Sequence, residues 1–415
     1  MIWAPCAPLA ALWHALAAMP VPPWRGLARA ARSSAATGWN DPAVPDAAYV
    51  PPPDGGEWER ADPRDAGFAA DLLDEAVAFA REHETPWPLD LRAHLEAGYF
   101  DTPPHNEIIG PVEPRGAPNG LVLRHGRIVA AWGDTRRADM TFSVAKSYLS
   151  LLAGVARADG LIADPDEPVG RTVHDGGFEG PHNGAITWRH LLQLTSEWEG
   201  TLWGKPDMID RNRDIAVEAE GPRKGEWRAL RPPGTYWEYN DVRVNRLSLA
   251  LLRRFGRPLP EVFRERIMAP IGASADWRWE GYRNSFVEIG GRLVQSVPGG
   301  GHWGGGAFIH AENQARIGLL MLRQGVWGDR RVITEDWVRQ SATPCERNPQ
   351  YRLLWWLNTG RQLRPSASAG SFFAFGAGGN VTWIDPAHDL VAVMRWMDPA
   401  AIDAFMGKVT AALRA

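Results

Sequence analysis

The chain is poor in cysteine: two in 415 residues, Cys6 near the start and Cys345 late in the sequence. A disulfide framework is therefore excluded as its source of stability. It also lacks an excess of charge of either sign, with 45 Lys and Arg against 49 Asp and Glu. Nothing in that balance favours nucleic acid or an anionic membrane as partner. No Gly-x-Ser-x-Gly elbow occurs, which removes the α/β-hydrolase type of nucleophile. The glycine-rich run 299–306 has no Lys-Ser/Thr ending, so it is not a phosphate loop. The eleven His are scattered without zinc spacing, and His83, between Glu82 and Glu84, reads as a solvated helix end. No metal and no cofactor are expected, and no internal repeat is visible. Residues 1–22 are apolar, yet no Lys or Arg precedes Arg25, and Pro5, Pro8 and Pro20 interrupt them. Neither a secretory signal nor a membrane span is expected there, which favours a cytoplasmic location over a secreted one, with the periplasm as the alternative.

What the chain does have is length enough for a large core and 21 Trp, which offer many rigid apolar walls. Residues 1–64, rich in Ala, Pro, Gly and Asp, read as a flexible arm, with order beginning near Gly67. A helix is expected up to about Glu84, then a hairpin of 120–124 and 127–133 about the turn His125-Gly126. Thr187 caps a short helix, 205–230 reads as a lid or surface insertion, and a helix runs from Val244 to Phe255. Strands are expected at 353–357, 372–375, 380–384 and 390–396, before a last helix from about 401 to 413.

Between the hairpin and the first long helix stands Thr141-Phe142-Ser143-Val144-Ala145-Lys146-Ser147. Positions i and i+3 share a helix face, so the Ser143 hydroxyl and Lys146 amine can meet without help from another segment. The helix that follows, Val144 to Ala156, is apolar on nearly every face, which predicts burial. Burial disfavours an ammonium ion, so Lys146 is a candidate base for Ser143, and the helix N-terminus favours negative charge on the serine oxygen.

Together with Leu191-Leu192-Gln193-Leu194-Thr195-Ser196, Pro233-Gly234-Thr235 leading to Tyr239-Asn240-Asp241, Gly304-Gly305-Gly306 and Ile384-Asp385-Pro386, these residues resemble the serine β-lactamase-like family. That family includes class C β-lactamases, D,D-peptidases, esterases and 6-aminohexanoate-dimer hydrolases, and the resemblance covers roughly 65 to 400. It implies an α+β fold, an antiparallel sheet flanked by helices, with a helical lobe of about 160–290 inserted and residues 401–415 forming a helix on the sheet. It also implies a small-molecule ester or amide substrate cleaved through an acyl-serine. Ser143 would be the nucleophile, Lys146 its base, and Tyr239 the proton shuttle to the leaving group.

Two departures shape the expectation. The family's Tyr-x-Asn ends here in Asp241, with Asn240 in the middle: either Asp241 faces Lys146 and favours its ammonium form, or Asn240 makes the hydrogen bonds. The edge-strand Lys/His-Thr/Ser-Gly has become Ala374-Phe375-Gly376, counting back from Ile384-Asp385-Pro386. That register makes the Ala377 amide the second oxyanion donor, and a shift by two would make it Gly379. In either register the cation that grips a β-lactam or D-alanyl carboxylate is missing. The expectation is an ester or amide hydrolase, closest in form to the 6-aminohexanoate-dimer branch; a β-lactamase or D,D-carboxypeptidase, and a non-catalytic binding domain, are the alternatives. Trp198, Trp203, Trp237 and Trp303 are candidate pocket walls, and His302 a candidate substrate contact. Oligomeric state is open.

Overall fold

The computed structural model describes residues 49–213 and 223–414. Expectations for residues 1–48 and for the middle of the 205–230 insertion lie outside the described residues.

Order begins earlier than Gly67. Trp58 is buried and donates its indole N–H to the Gly126 carbonyl at 2.9 Å. The Ala61 amide reaches the Ile128 carbonyl at 3.0 Å, and Arg127 lies over Tyr49 at 4.5 Å. Residues 49–64 are thus a packed strap, not a flexible arm, because two aromatic anchors hold a segment whose composition is otherwise linker-like.

The helix α1 (Ala70–Glu82) is followed by the hairpin β1 (Asn119–Arg124) and β2 (Arg127–Trp132). Its turn has His125 and Gly126 both at positive φ, as a two-residue hairpin turn requires. Next come β3 (Asp139–Met140) and α2 (Val144–Ala158), then α3 (Trp188–Leu192), capped by Thr187 Oγ1 on the His190 amide, and α4 (Asp241–Phe255). The chain continues through β4 (Arg278–Glu280), β5 (Gly306–Ile309), α5 (Ala311–Leu322), β6 (Tyr351–Arg352), β7 (Trp355–Leu357), β8 (Phe372–Gly376), β9 (Asn380–Asp385), β10 (Leu390–Arg395) and α6 (Ile402–Ala411).

The main sheet has the order β6-β7-β8-β9-β10-β1-β2 and is antiparallel throughout. Its two faces separate with the period of two that strands impose. On β8, Phe372 and Ala374 enter the larger core, which also holds α2 and α4, whereas Phe373 and Phe375 enter the core beneath α1 and α6. A small sheet, β3-β5-β4, stands beside the main one. The inserted lobe carries α3 and α4 but also short hairpins at 201–206 and 286–295, so it is mixed and not purely helical.

Every residue of α2 from Val144 to Ala156 is buried, Lys146 included. Burying Leu149, Leu151 and Leu152 stabilises this arrangement by about 1.5–3 kcal/mol each. The Ser147 hydroxyl donates to the Leu354 carbonyl and Trp337 donates its N–H to the Ser150 carbonyl, which fixes the helix against its surroundings.

Candidate active site

Met140 at the end of β3 and Val144 at the start of α2 leave three residues to turn a strand into a helix. Phe142 takes the strain, with φ at 49°, a left-handed conformation seldom adopted by an aromatic residue. Ser143 follows at the helix N-cap, half-buried, and Lys146 Nζ donates to its Oγ at 2.8 Å. Gly300 closes over the pair from another loop. A methyl group placed there would lie 3.1 Å from Lys146 Nζ, 3.5 Å from Ser143 Oγ and 3.6 Å from Asp241 Oδ1. The glycine run 299–306 is therefore a place of close backbone approach.

Asp241 faces Lys146 and forms an ion pair with it through Oδ1. Its Oδ2 accepts from Arg213 at 2.7 Å and lies 2.8 Å from His302 Nδ1. Helix α4 begins three residues earlier than Val244 because the Asn240 side chain accepts the Arg243 amide and caps it. Asp241 thus sits in the first helical turn, where the dipole favours a carboxylate. Its amide donates to Asp210 Oδ2 at 2.9 Å.

Of the two readings of Lys146, these contacts favour the one in which Asp241 faces it and supports the ammonium form. Burial pushes Lys146 down, but the Asp241 carboxylate more than offsets it, and the net shift is upward. Burial pushes Asp241 up, yet Lys146, Arg213 and His302 hold it well below the usual carboxylate range. His302 is likewise lowered by burial and raised by Asp101 and Asp210, with a net rise.

Several expected contacts are placed differently. Asn240 spends its oxygen on the cap and its N–H on the Asp207 carbonyl at 2.8 Å, fully buried, so it supports the helix and does not face a substrate. Trp198 lies inside the lobe with its indole N–H on the Gly177 carbonyl, and it packs there instead of lining a pocket. His302 is buried between two carboxylates: Nδ1 faces Asp241, Nε2 lies 2.7 Å from Asp101 Oδ2, and its ring stacks on Trp303 at 4.3 Å. Trp303 in turn donates to Asp101 Oδ2 at 3.0 Å. Trp203 packs edge-on against Tyr282.

Tyr239 is brought beside Lys146, whose Nζ lies 4.8 Å from the ring centroid, and Arg213 covers the same ring at 5.2 Å. The Tyr239 ring stacks on Trp356 at 5.8 Å, Trp237 meets Tyr351 and Trp356 edge-on, and Trp356 meets Phe375. Of the four expected tryptophans, Trp237 alone joins this aromatic group.

Gly376 ends β8 directly against the start of α2. A side chain there would collide with the Thr141 carbonyl and touch Val144. Ala377 follows, buried with Phe142, Trp87 and Trp396. The end of β8 and Ser143 are therefore neighbours. β8 is not the outermost strand expected from the sequence, because β7 pairs with it at Phe372 and Phe373 and stops short of Gly376.

Asp101, Asp210, Arg213 and Lys224 belong to this centre and lie on no motif, whereas Gly300 belongs to the glycine run 299–306. Asp101, Asp210 and His302 have ligand atoms within 4.8 Å of one another, a spacing a metal could use. Their charge is matched by the chain's own cations, however: Lys224 pairs with both carboxylates and Arg213 with Asp210.

An antiparallel sheet flanked by helices, with a strained turn delivering a half-buried serine to a buried helix and lysine, tyrosine and the end of a sheet strand around it, is a β-lactamase/transpeptidase-like fold. Residues 121–396 match the Beta-lactamase family, and the chain belongs to it. It is similar to the 6-aminohexanoate-dimer hydrolase of Paenarthrobacter ureafaciens, 23% identical over 320 residues that cover 67% of this chain and 72% of that protein. Among solved structures it resembles simvastatin synthase (LovD) from Aspergillus terreus, with TM-score 0.54, 16% identity, and coverage of 83% of this chain and 99% of that one. It also resembles EstCE1, a hydrolase with promiscuous acyltransferase activity, with TM-score 0.51, 15% identity, and coverage of 83% and 98%. No helix among the described residues is long and apolar enough to cross a membrane.

Proposed function

We infer that this member of a hydrolase family cleaves a small ester or amide through an acyl-serine formed on Ser143. The contact of 2.8 Å between Lys146 Nζ and Ser143 Oγ, at the mouth of a buried helix, carries the reading. In the first step the Oγ–carbonyl carbon bond forms, the Oγ proton passes to Lys146 and through Tyr239 to the leaving group, and the ester or amide bond breaks. Water then reverses the sequence and releases the acid.

The base must be the unprotonated lysine, whereas the resting centre favours the ammonium ion. Among the described residues, the carboxylates Asp101, Asp210 and Asp241 contact the cations Lys146, Arg213, Lys224 and, when protonated, His302. One proton can leave that group without uncovering an unpaired anion. Because Lys146 is shifted upward, the rate is expected to rise with pH through its titration.

The missing cation on β8, the aromatic group around Tyr239, and similarity to a 6-aminohexanoate-dimer hydrolase together favour an ester or amide with no carboxylate at that place over a penicillin. The test is a panel of short-chain p-nitrophenyl esters, 6-aminohexanoate dimer and nitrocefin, run beside Ser143→Ala and with fluorophosphonate labelling. Ester or amide turnover with labelling at Ser143 supports the reading. Nitrocefin hydrolysed well above p-nitrophenyl butyrate would make the protein a β-lactamase, and an unlabelled, inactive native protein would make it a binding domain.

A further inference from the structure

Arg395, the last residue of β10, is 1% exposed. Its three nitrogens each find a neutral oxygen: Nε donates to Asn380 Oδ1 at 2.6 Å, one terminal nitrogen to the Ile309 carbonyl at 2.6 Å, and the other to the Met140 carbonyl at 2.9 Å. Among the described residues no carboxylate pairs with it. Beyond these oxygens it has the Trp396 ring at 5.8 Å and the through-space pull of Asp139, and its burial still lowers it on balance, so the guanidinium sits there at a desolvation cost that a direct ion pair would have reduced.

Its contacts converge on the end of β8 beside Ser143. Met140 ends β3, three residues before Ser143 and directly before the short connection that Phe142 strains. Asn380 faces Gly376 across the β8–β9 pairing and donates its side-chain N–H to the Ala377 carbonyl at 2.7 Å. One fork therefore ties the backbone that leads into Ser143 to the turn that carries Ala377. Its charge is carried by β10, two strands along the same sheet from the β8 position where the family's usual cation is absent.

We propose that Arg395 and Asn380 are positioning residues that lock the Ala377 turn and the Ser143 approach into one rigid frame, aligning their backbone amides as the oxyanion site and placing a buried positive charge near it. This rests on the acyl-serine reading above. Developing negative charge on the carbonyl oxygen would meet amides that need no reorganisation, within the field of a cation screened from water.

The experiment compares Asn380→Asp and Asn380→Ala with the native protein, using p-nitrophenyl butyrate turnover, inhibition by an aryl boronic acid that forms a tetrahedral adduct, and thermal unfolding. Asn380→Asp keeps an acceptor for Arg395, replaces the donor to Ala377 with a carboxylate oxygen and offsets the Arg395 charge, whereas Asn380→Ala removes both hydrogen bonds and leaves that charge in place. The expected result is kcat lowered about 10- to 100-fold, below the loss for deleting a direct oxyanion donor, with KM changed less than about threefold. Boronate affinity should fall by a similar factor. Folded variants with native kcat, or a kcat loss without weaker boronate binding, would overturn the positioning role and leave the acyl-serine reading intact. A native protein that neither turns over ester nor labels at Ser143 would overturn both.

Discussion

Two buried charge networks meet at the start of α4, and only one of them touches Ser143, the proposed nucleophile. In the lobe, Glu197 accepts from Arg228 and Arg243, Glu238 from the same two arginines, and Asp207 from Arg211 and Arg243. There every cation is an arginine, which stays charged at any accessible pH and binds carboxylates in a fixed fork. Three residue positions away, Asp241 holds a lysine, a histidine and an arginine, and the lysine also bonds the Ser143 hydroxyl. The same burial that makes the first network a rigid strut makes the second a proton-holding centre, because two of its cations can titrate.

The widest separation between the two should come from Ser143→Ala. We expect turnover to fall at least about 10³-fold, with thermal unfolding close to native, as measured by ester hydrolysis and calorimetry.

Asp241→Asn should affect both properties. Removing a buried paired charge costs about 3–5 kcal/mol of stability. Lys146 also loses the carboxylate that raises it, so the ascending limb of the pH–rate profile should move to lower pH. A profile that coincides with the native one would remove Asp241 from the proton path.

Arg243→Met should lower stability by a comparable amount, about 3–5 kcal/mol, yet leave the shape of the pH–rate profile unchanged. A displaced profile would mean that the two networks act as one.

The smallest effect concerns acid. Burial raises Glu197, but Arg228 and Arg243 lower it further, to about 2 from an ordinary 4.5. A depressed folded-state value contributes stability that is fully present above about pH 4.5 and is lost as pH falls toward about 2. The difference in melting temperature between native protein and Glu197→Gln should therefore shrink across that interval. A constant difference would show that the carboxylate's charge is not what the lobe uses.

Much of this was legible in the sequence. The hairpin, the late strands and the apolar α2 follow from periodicity, and Ser143, Lys146 and Tyr239 lie on local patterns whose spacing survives folding. Other features were hidden for definable reasons. Trp58 sits in a stretch whose composition resembles a linker. Asn240 was legible as a cap, which would have started α4 at Asp241, but its place inside a Tyr-x-Asn-like block drew it toward the substrate. Asp101, Asp210, Arg213 and Lys224 come together only through long-range packing, and single charged residues in polar segments have no periodicity to reveal them. Whether Lys146 is neutral or an ammonium ion turns on Asp241, and which of Asp241 and Asn240 faces it is a long-range matter, since the carboxylate stands 95 positions away.

The pairing of β1 with β10 joins residues 119–124 to 390–395. Strands so distant in sequence close a long loop before they gain contacts, which slows folding and leaves intermediate states open at that edge. During synthesis the serine and lysine emerge some 250 residues before Arg395. Until then the nascent chain holds the proposed nucleophile and base without the strand that joins the Ala377 turn to the Ser143 approach, so assembly of the site is timed by the arrival of β10.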